Sequence, residues 1–389
     1  MCHDSLYQDY FDQCRYLLSY FDQSHIVFLK LVYDCKFLRF ILADCAFYGY
    51  FCYNIFINKA EGDLLMFKVL LTREMPGPAM EKLKRGVDLE YVSEETKLTK
   101  QEIIDRIKDK DGLISMLDDP IDAEVINAAH DLKVISNYAV GFNNIDIKTA
   151  TSRGIAVTNT PGVLTNATAD LAWALLMAVS RRTAEGDRYL RAGKFRCWGP
   201  KLMLGYEFAG KTLGIIGMGR IGSAVAKRAS GFDMHVVYYK RHRLSQQEEK
   251  KAGAEYAGLD ELLSQSDFIS IHAPLTDETR HMLGEEQFKK MKDSCILINT
   301  ARGPIVDESA LTAALKQGWI AGAGLDVYEN EPAVSPELLE MENVVLEPHI
   351  GSATYEAREK MAEMVADDCL AVLKGGRPDN IVNGELYER

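Results

Sequence analysis

Short apolar runs alternate with amphipathic stretches along the chain from residue 67 onward. The runs 67–72, 89–92, 112–116, 132–136 and 155–158 have the length and apolar content of buried strands. Helices are predicted between them at 78–86, 122–130 and 146–153, and a capping box, Thr99-Lys-Gln-Glu102, opens a further helix. Strands and helices that alternate at this spacing predict βαβ units on a parallel sheet.

A glycine cluster follows the apolar run 213–216. Gly217, Gly219 and Gly222 have the spacing G-x-G-x-x-G, with Arg220 and Ile221 between the last two. The first glycine allows a tight turn, the second lets a pyrophosphate approach the backbone, and the third lets the helix pack closely on the strand. Because a strand precedes the cluster and a helix follows it, the motif predicts a dinucleotide site rather than a structural glycine turn.

The alternation of strands and helices resumes after this motif. Predicted strands at 234–239, 268–272, 295–299, 323–327 and 344–346, with a helix at 308–316, indicate a second doubly wound sheet. Two long helices complete the pattern. One is expected at 166–190, and because it is apolar through 171–179 it should be buried on most faces, between domains or subunits. The other is expected at 355–373.

The segment that follows the predicted strand 234–239 bears on the choice between NAD(H) and NADP(H). An NAD site usually has an acidic residue about 20 positions past the first glycine, where it binds the ribose 2′-OH. No acidic residue lies between Asp233 and Glu248, and Lys240, Arg241 and Arg243 occupy this region. Since a guanidinium suits a phosphate, these cations favour NADP(H). NAD(H) stays possible, and the alternative interpretation is a solvated basic turn.

Length and composition narrow the classes of protein. A chain of 389 residues, of which 47% are hydrophobic, is long enough for two or more domains. The net charge of −12 argues against a nucleic-acid-binding role. The eight cysteines form no C-x-x-C pair, so neither a zinc site nor a redox dithiol is indicated. We expect reduced thiols, a cytoplasmic location and no metal.

The first 65 residues differ from the rest of the chain. They hold five of the eight cysteines and no proline, and they lack the basic start of a signal peptide. The run 37–57 is long enough to span a bilayer, but it contains Arg39 and Asp44, and a charge near a helix centre costs ~2.5–3.5 kcal/mol. A membrane anchor and a peripheral helical extension are therefore alternatives. The abrupt change of pattern favours a third interpretation, a translated upstream region ahead of a true start at Met66.

Three ionisable residues stand beyond the ends of the last three predicted strands, where such sheets bind ligands. These residues are Arg302, Glu331 and His349. Reduction of a 2-oxo acid needs a cation for the carboxylate, a general acid for the carbonyl oxygen, and a carboxylate that keeps this acid protonated. Each residue alone also fits a structural role, and their spacing does not by itself link them.

Longer motifs supply the link. From about residue 67 onward the chain resembles the D-isomer-specific 2-hydroxyacid dehydrogenases. The resemblance rests on the segments Asn137-Tyr-Ala-Val-Gly-Phe-Asn-Asn-Ile-Asp146, Asn159-Thr-Pro-Gly162, Ala167-Thr-Ala-Asp170, 217–222, Asn299-Thr-Ala-Arg-Gly303, Gly324-Leu-Asp-Val-Tyr-Glu329, Glu331-Pro332 and Pro348-His-Ile-Gly-Ser352.

This resemblance implies an α/β fold with two doubly wound parallel-sheet domains and an active-site cleft between them. The implied substrate-binding domain is flavodoxin-like and discontinuous, comprising 66–164 plus 351–389. The implied NAD(P)-binding Rossmann domain comprises 165–350. Members of this family are usually homodimers, formed through the long helix and neighbouring loops.

The resemblance also implies roles for individual residues. Arg302 would bind substrate, and His349, paired with Glu331, would be the general acid. The backbone of Val140 and Gly141 would bind the substrate carboxylate. In addition to the glycine motif and the basic turn, the expected cofactor-binding residues are Thr168, Pro274, Thr300, Asp326 and Gly351.

Within the family, the chain most resembles the glyoxylate/hydroxypyruvate reductases, which implies NADPH-preferring reduction of these 2-oxo acids. A short phosphoglycerate dehydrogenase is the alternative enzyme, and a dinucleotide-sensing, corepressor-like scaffold is the alternative from another class. A formate dehydrogenase is disfavoured, because that branch lacks the histidine's carboxylate partner and Glu331 is present. Asn143 stands where the family usually has Asp, and we expect no change of reaction from it.

Overall fold

The computed structural model describes residues 66–93 and 96–388. Residues 67–389 form one compact unit. The interpretations of residues 1–65, including the run 37–57, lie outside the described residues. Within the described ranges, no helix combines the length and apolar character that a membrane span requires.

Five parallel strands form the first sheet, in the order β2-β1-β3-β4-β5. Successive residues of β1 alternate between two cores, with Val69 and Leu71 on one face and Leu70 on the other, so helices cover both faces. The predicted capping box, in which Thr99 and Glu102 bond each other's backbone N–H, is confirmed. The elements are β1 (Lys68–Leu71), α1 (Ala79–Gly86), β2 (Asp88–Tyr91), α2 (Lys100–Ile107), β3 (Gly112–Ser115), α3 (Ala123–Ala128), β4 (Val134–Asn137), α4 (Ile147–Ser152) and β5 (Ala156–Thr158).

Seven parallel strands form the second sheet, in the order β12-β11-β10-β9-β6-β7-β8. The strand order reverses at β6, which lies between β9 and β7, and ligands bind at such a reversal. The prediction missed β8, which has two residues. The elements are β6 (Thr212–Ile216), α7 (Arg220–Ala229), β7 (His235–Tyr239), α8 (Gln246–Ala252), β8 (Glu255–Tyr256), α9 (Leu259–Gln265), β9 (Phe268–Ile271), α10 (Glu285–Phe288), β10 (Ile296–Asn299), α11 (Glu308–Gln317), β11 (Gly322–Leu325), α12 (Pro336–Leu339) and β12 (Val344–Leu346).

The single long helix predicted at 166–190 is wrong. Two helices stand there, α5 (Thr165–Ser180) and α6 (Thr183–Arg191), because Arg182 adopts a left-handed backbone conformation (φ 53°). The carbonyl of Ser180 accepts a hydrogen bond from the N–H of Tyr206 (2.9 Å), so a later loop ends α5. Helix α5 is buried against β10, β11 and α7, whereas α6 has no buried residue.

The C-terminal part of the chain contacts the first sheet. Helix α13 (Tyr355–Leu373) contributes Met361 and Val365 to one of the two cores of that sheet. Beyond it, Asn383 accepts a hydrogen bond from the N–H of Val157 (2.8 Å) and donates to the carbonyl of Ile155 (2.9 Å). These contacts agree with a discontinuous first domain, although the domain limits at 164/165 and 350/351 stay predictions.

Candidate active site

Three adjacent strands bring the predicted catalytic residues to one edge of the second sheet. Arg302 follows β10, Glu331 lies in the loop after β11, and His349 follows β12. The carboxyl ends of parallel neighbours meet at the same edge, so the loops that follow them are adjacent. His349 and Glu331 meet directly, with Nδ1 of His349 2.8 Å from Oε2 of Glu331.

The carboxylate of Glu331 is held at both oxygens. Oε1 accepts the backbone N–H of Tyr328 (3.0 Å), while Oε2 faces His349. Burial opposes ionisation of this carboxyl, but the hydrogen bonds from His349 and Tyr328 and the charge of Arg302 outweigh burial and lower the pKa of Glu331. An ionised partner at Nδ1 fixes the imidazole orientation and leaves Nε2 for another acceptor.

The backbone of His349 is held in an unusual conformation. Its φ of 55° lies in the left-handed region, which costs about 1–2 kcal/mol for a residue with a Cβ. The carboxylate of Asp326 accepts the next two N–H groups, those of Ile350 (2.6 Å) and Gly351 (2.8 Å), and so restrains this turn. Burial raises the pKa of Asp326 to about 6, with Glu331 adding to the shift while His349 and the two N–H groups oppose it.

A second histidine at the same edge is chemically different. His272 follows β9, and its Nε2 lies 2.8 Å from Oγ of Ser270. Burial lowers the pKa of His272 to about 3, so its imidazole is neutral at neutral pH. His349 is therefore the better candidate for a proton donor.

The loop that carries Glu331 is braced by two carboxylates that sequence reasoning missed. Glu308 accepts the N–H of Glu329 (3.0 Å) and of Ser335 (3.2 Å), and Glu329 accepts the N–H of Glu308 (3.2 Å). His281 bonds the other oxygen of Glu329 (2.6 Å). The available sequence signal was an acidic residue at the start of a helix, Glu308, and another beyond the end of a strand, Glu329. Their mutual hydrogen bonds depend on the fold and could not be inferred from the sequence.

Arg302 contacts loops that follow strands of both sheets. Its Nη1 donates to the carbonyl of Ala301 (2.7 Å), and its Nε donates to Oδ1 of Asn143 (3.1 Å), in the loop after β4. A Cβ on Gly141 of that loop would overlap Nη2 of Arg302, so a larger residue there would displace the guanidinium from this position. Burial lowers the pKa of Arg302, and Glu331 opposes this shift.

Two asparagines fix the loop of Val140 and Gly141. Asn159 donates to the carbonyl of Val140 (2.7 Å), and Asn137 donates to the carbonyl of Gly141 (2.8 Å). Sequence reasoning quoted both asparagines within motifs but gave them no role. Their positions at the ends of β5 and β4 were the available signal.

The glycine motif has the geometry of a dinucleotide cradle. Gly217 has a φ of 99°, and a Cβ there would meet the backbone of His272 and Ala273. A Cβ on Gly222 would overlap the carbonyl of Gly217, whereas Gly219, at the start of α7, faces open space. The third glycine thus serves close packing, and the second leaves room for a ligand at a helix N-terminus.

Other predicted cofactor residues gather at the edge of the second sheet. The ideal Cβ position of Gly351 is 3.0 Å from Oδ2 of Asp326 and 3.4 Å from Cγ2 of Thr168, so these three residues adjoin. Thr300 follows β10 and is buried, and its Oγ1 has no hydrogen-bond partner among the described residues. A buried hydroxyl without a partner is expected where a polar ligand binds. The residues present therefore fit a nicotinamide dinucleotide.

The basic turn after β7 does not act as one cluster. Arg243 forms a bidentate ion pair with Glu249 (2.8 and 3.0 Å) and lies over the ring of Tyr256, so its charge is already compensated. Arg241 is exposed and forms no ion pair within the described ranges, and Lys240 is half-buried. The remaining predicted residues stand at the glycine turn or beyond β9, namely Arg220 and Ile221 at the start of α7 and Pro274 after β9.

Comparison with known proteins identifies the family. The sequence model described as "D-isomer specific 2-hydroxyacid dehydrogenase, NAD binding domain" matches residues 173–351. The glyoxylate reductase of Korarchaeum cryptofilum is 54% identical over 324 residues, which are 82% of this chain and 97% of that protein. This chain belongs to the D-isomer-specific 2-hydroxyacid dehydrogenase family. It is therefore an NAD(P)-dependent oxidoreductase that acts on a 2-oxo acid and its D-2-hydroxy acid.

Other members of the family share the sequence and the fold. The glyoxylate reductase of Pyrococcus furiosus is 51% identical over 325 residues, 82% of this chain and 96% of that one. A crystal structure of a Thermus thermophilus protein matches with a TM-score of 0.76 and 47% identity, covering 81% of this chain and 99% of that one. The NADPH-dependent glyoxylate/hydroxypyruvate reductase of Sinorhizobium meliloti, solved with NADP and malonate, matches with a TM-score of 0.74 and 30% identity, covering 82% and 97%.

The open space at Gly219 gives a direct test of the cradle. Replacing Gly219 by Ala should raise the dissociation constant of the dinucleotide about tenfold or more, because a methyl group would occupy the approach of the diphosphate. The melting temperature should be unchanged, because a Cβ there meets no protein atom within 4 Å. Gly231→Ala, at another open glycine, is the matched control. Equal dinucleotide affinities for wild type and Gly219→Ala would exclude this turn as the binding site.

Proposed function

We propose that this 2-hydroxyacid dehydrogenase reduces glyoxylate and hydroxypyruvate to the corresponding 2-hydroxy acids, with NADPH preferred. The observation that carries the proposal is the pairing of His349 with Glu331 beside the half-buried cation of Arg302. The relatives from Korarchaeum cryptofilum and Pyrococcus furiosus, which are named glyoxylate reductases, support the choice of substrate.

Arg302 binds the substrate in this proposal. Its guanidinium offers planar donors that suit a carboxylate, and the backbone of Gly141 lies against it. Because burial removes water from the guanidinium, its attraction for an anionic partner is stronger here than it would be in water. The same guanidinium polarises the neighbouring carbonyl group.

His349 is the proposed general acid. NADPH, when bound, supplies the hydride that the carbonyl carbon receives. As the C–O double bond becomes a single bond, Nε2 of His349 donates its proton to the oxygen, which gives the hydroxyl group. Glu331 holds the imidazole at Nδ1 during this transfer, and the neutral imidazole afterwards takes a proton from solvent.

Two cations at the edge of the first sheet bear on the alternative function, that of a phosphoglycerate dehydrogenase. A substrate phosphate would need uncompensated cations near the pocket. Arg73, just beyond β1, and Lys97 both pair with Asp118, at 3.5 and 2.9 Å. One carboxylate offsets only part of these two positive charges, but no contact among the described residues joins Arg73 or Lys97 to Arg302 or His349. No observation on these residues therefore favours a phosphoglycerate dehydrogenase. No specific observation favours the corepressor-like scaffold.

The cofactor preference rests on Arg241. Among the three predicted cations, Arg243 is committed to Glu249, whereas Arg241 is exposed and has no ion pair within the part of the chain that the structure describes. A free guanidinium where an NAD site has a carboxylate supports recognition of a 2′-phosphate. The Sinorhizobium meliloti relative, itself NADPH-dependent, supports the same preference.

We also infer that the enzyme is a homodimer. Helix α6 buries none of its residues, and large apolar side chains at and after it are exposed, including Leu190, Phe195, Trp198 and Leu204. A contiguous sequence segment with this exposure suits an interface with a second chain. A monomer in sedimentation equilibrium would contradict the inference.

A substrate panel tests the proposed reaction. With NADPH, glyoxylate and hydroxypyruvate should give higher kcat/KM values than pyruvate or 3-phosphohydroxypyruvate. Initial rates of NADPH oxidation measure this ranking. Activity confined to 3-phosphohydroxypyruvate would replace the proposed substrate by a phosphorylated one.

The cofactor preference has its own test. Arg241→Asp should raise the KM for NADPH about tenfold or more, because it replaces an attraction for the 2′-phosphate by a repulsion. The KM for NADH, which lacks that phosphate, should change little. Lys251→Asp makes the same change of charge on α8 and is the control. Equal effects on both cofactors would mean that Arg241 serves the fold rather than the phosphate.

A further inference from the structure

We propose that His281 is a positioning residue for the reaction, which fixes the loop that carries Glu331 relative to the turn that carries Arg302. In this scheme it keeps the proposed general acid, His349, aligned with the cation that binds substrate. It acts through the segments next to these residues. The inference rests on the proposed roles of Arg302, Glu331 and His349.

Two bonds of His281 carry the inference. Nε2 of its imidazole lies 2.6 Å from Oε1 of Glu329, which is two positions before Glu331. Its backbone N–H donates to the carbonyl of Pro304 (2.8 Å), which is two positions after Arg302. One residue, in the loop after β9, therefore bonds the segments that adjoin two residues of the proposed active site.

The same two segments also lie directly against each other. A Cβ on Gly303 would overlap the carbonyl of Tyr328, so the turn after Arg302 packs on the peptide that precedes Glu329. The N–H of Tyr328 donates to Oε1 of Glu331 (3.0 Å). A shift of this peptide would therefore disturb both the support of Glu331 and the backbone next to Arg302.

The carboxylate of Glu329 is held from two sides. Oε2 accepts the N–H of Glu308 (3.2 Å) at the start of α11, and Oε1 bonds His281. Without the imidazole, the carboxylate would keep its bond to α11 alone and could rotate about it. The bond to His281 therefore restrains the loop of Glu331 from the side of the loop after β9.

The backbone of His281 supports a role for its side chain. Its φ of 50° lies in the left-handed region, which glycine adopts at no cost and a residue with a Cβ does not. His349 has the same conformation (φ 55°) and bonds Glu331 of the same loop. Two histidines with unfavourable backbone thus hold one loop at two carboxylates, Glu329 and Glu331. Strain of this kind persists where the surrounding contacts compensate it.

The test replaces His281 by Gly. This change removes the imidazole, keeps the N–H that bonds Pro304, and gives the left-handed backbone its preferred residue. The kcat/KM for glyoxylate should fall about tenfold, with kcat lowered and KM raised, because a misplacement of about 1 Å at a reacting group can cost up to about 10²-fold. The dissociation constant of NADPH should change little, because the glycine cradle is untouched.

A surface contact elsewhere in the same domain gives the matched control. Lys316 on α11 pairs with Glu337 on α12 (3.0 Å). Lys316→Gln breaks this contact between neighbouring elements, and kcat/KM should stay at the wild-type value. A loss in this control equal to that of His281→Gly would show that any loosened contact lowers the rate, and would overturn the inference.

Variants of Glu329 show whether the imidazole acts through this carboxylate. Glu329→Ala loses both bonds and should lower kcat/KM at least as much as His281→Gly. Adding His281→Gly to Glu329→Ala should cost nothing further, because the partner of the imidazole is already absent. Glu329→Gln keeps an acceptor oxygen and should lose less. Losses of His281→Gly and Glu329→Ala that multiply in the double variant would contradict the proposed coupling.

Melting temperatures separate positioning from stability. With rates measured well below the lowest melting temperature, the loss in His281→Gly should persist. A loss that disappears there, a wild-type kcat/KM, or an equal loss of NADPH affinity would overturn the inference. His349→Gln is the reference: if it turns over normally, the proposed general acid fails and this inference with it. If His349→Gln is inactive while His281→Gly is normal, this inference fails alone. Preference for another 2-oxo acid would revise only the substrate, and the same order of variants should hold with that acid.

Discussion

The hydrogen bond between His349 and Glu331 is the interaction on which the proposed chemistry depends. An imidazole with one nitrogen held by an ionised carboxylate has a fixed orientation, and its other nitrogen is left for the substrate. The carboxylate stays ionised in spite of burial, because His349, the Tyr328 N–H and Arg302 all favour its charge. The half-buried His272 bonds a hydroxyl group rather than a carboxylate, and burial of its ring lowers its pKa to about 3.

The rest of the site holds this pair in place. Asp326 restrains the left-handed backbone at His349, and the reciprocal bonds of Glu308 and Glu329 brace the loop that carries Glu331. The two sheets contribute in different ways. The second supplies the ionisable groups and the glycine cradle, and the first supplies the backbone loop that meets Arg302. Arg302 therefore contacts loops from both sheets at the proposed substrate site.

Local signals explain how much could be predicted from sequence. The capping box at Thr99 and the helix predicted at 308–316 depend on a few neighbouring residues, and the structure confirms both. The predicted helix at 166–190 is wrong because its interruption depends on a bond from distant Tyr206 to Ser180. The Arg302–Asn143 bond joins residues 159 positions apart. The motif identified the arginine, but pairing across the fold could not be inferred from spacing.

The most direct measurement of the central claim is the turnover of His349→Gln, taken together with its affinity for NADPH. If His349 is the general acid, kcat should fall by about 10²–10⁴-fold, the usual contribution of such a group. The dissociation constant of NADPH should stay close to that of the wild type, because the glycine cradle is untouched. Turnover near the wild-type rate, with a normal cofactor affinity, would contradict the account.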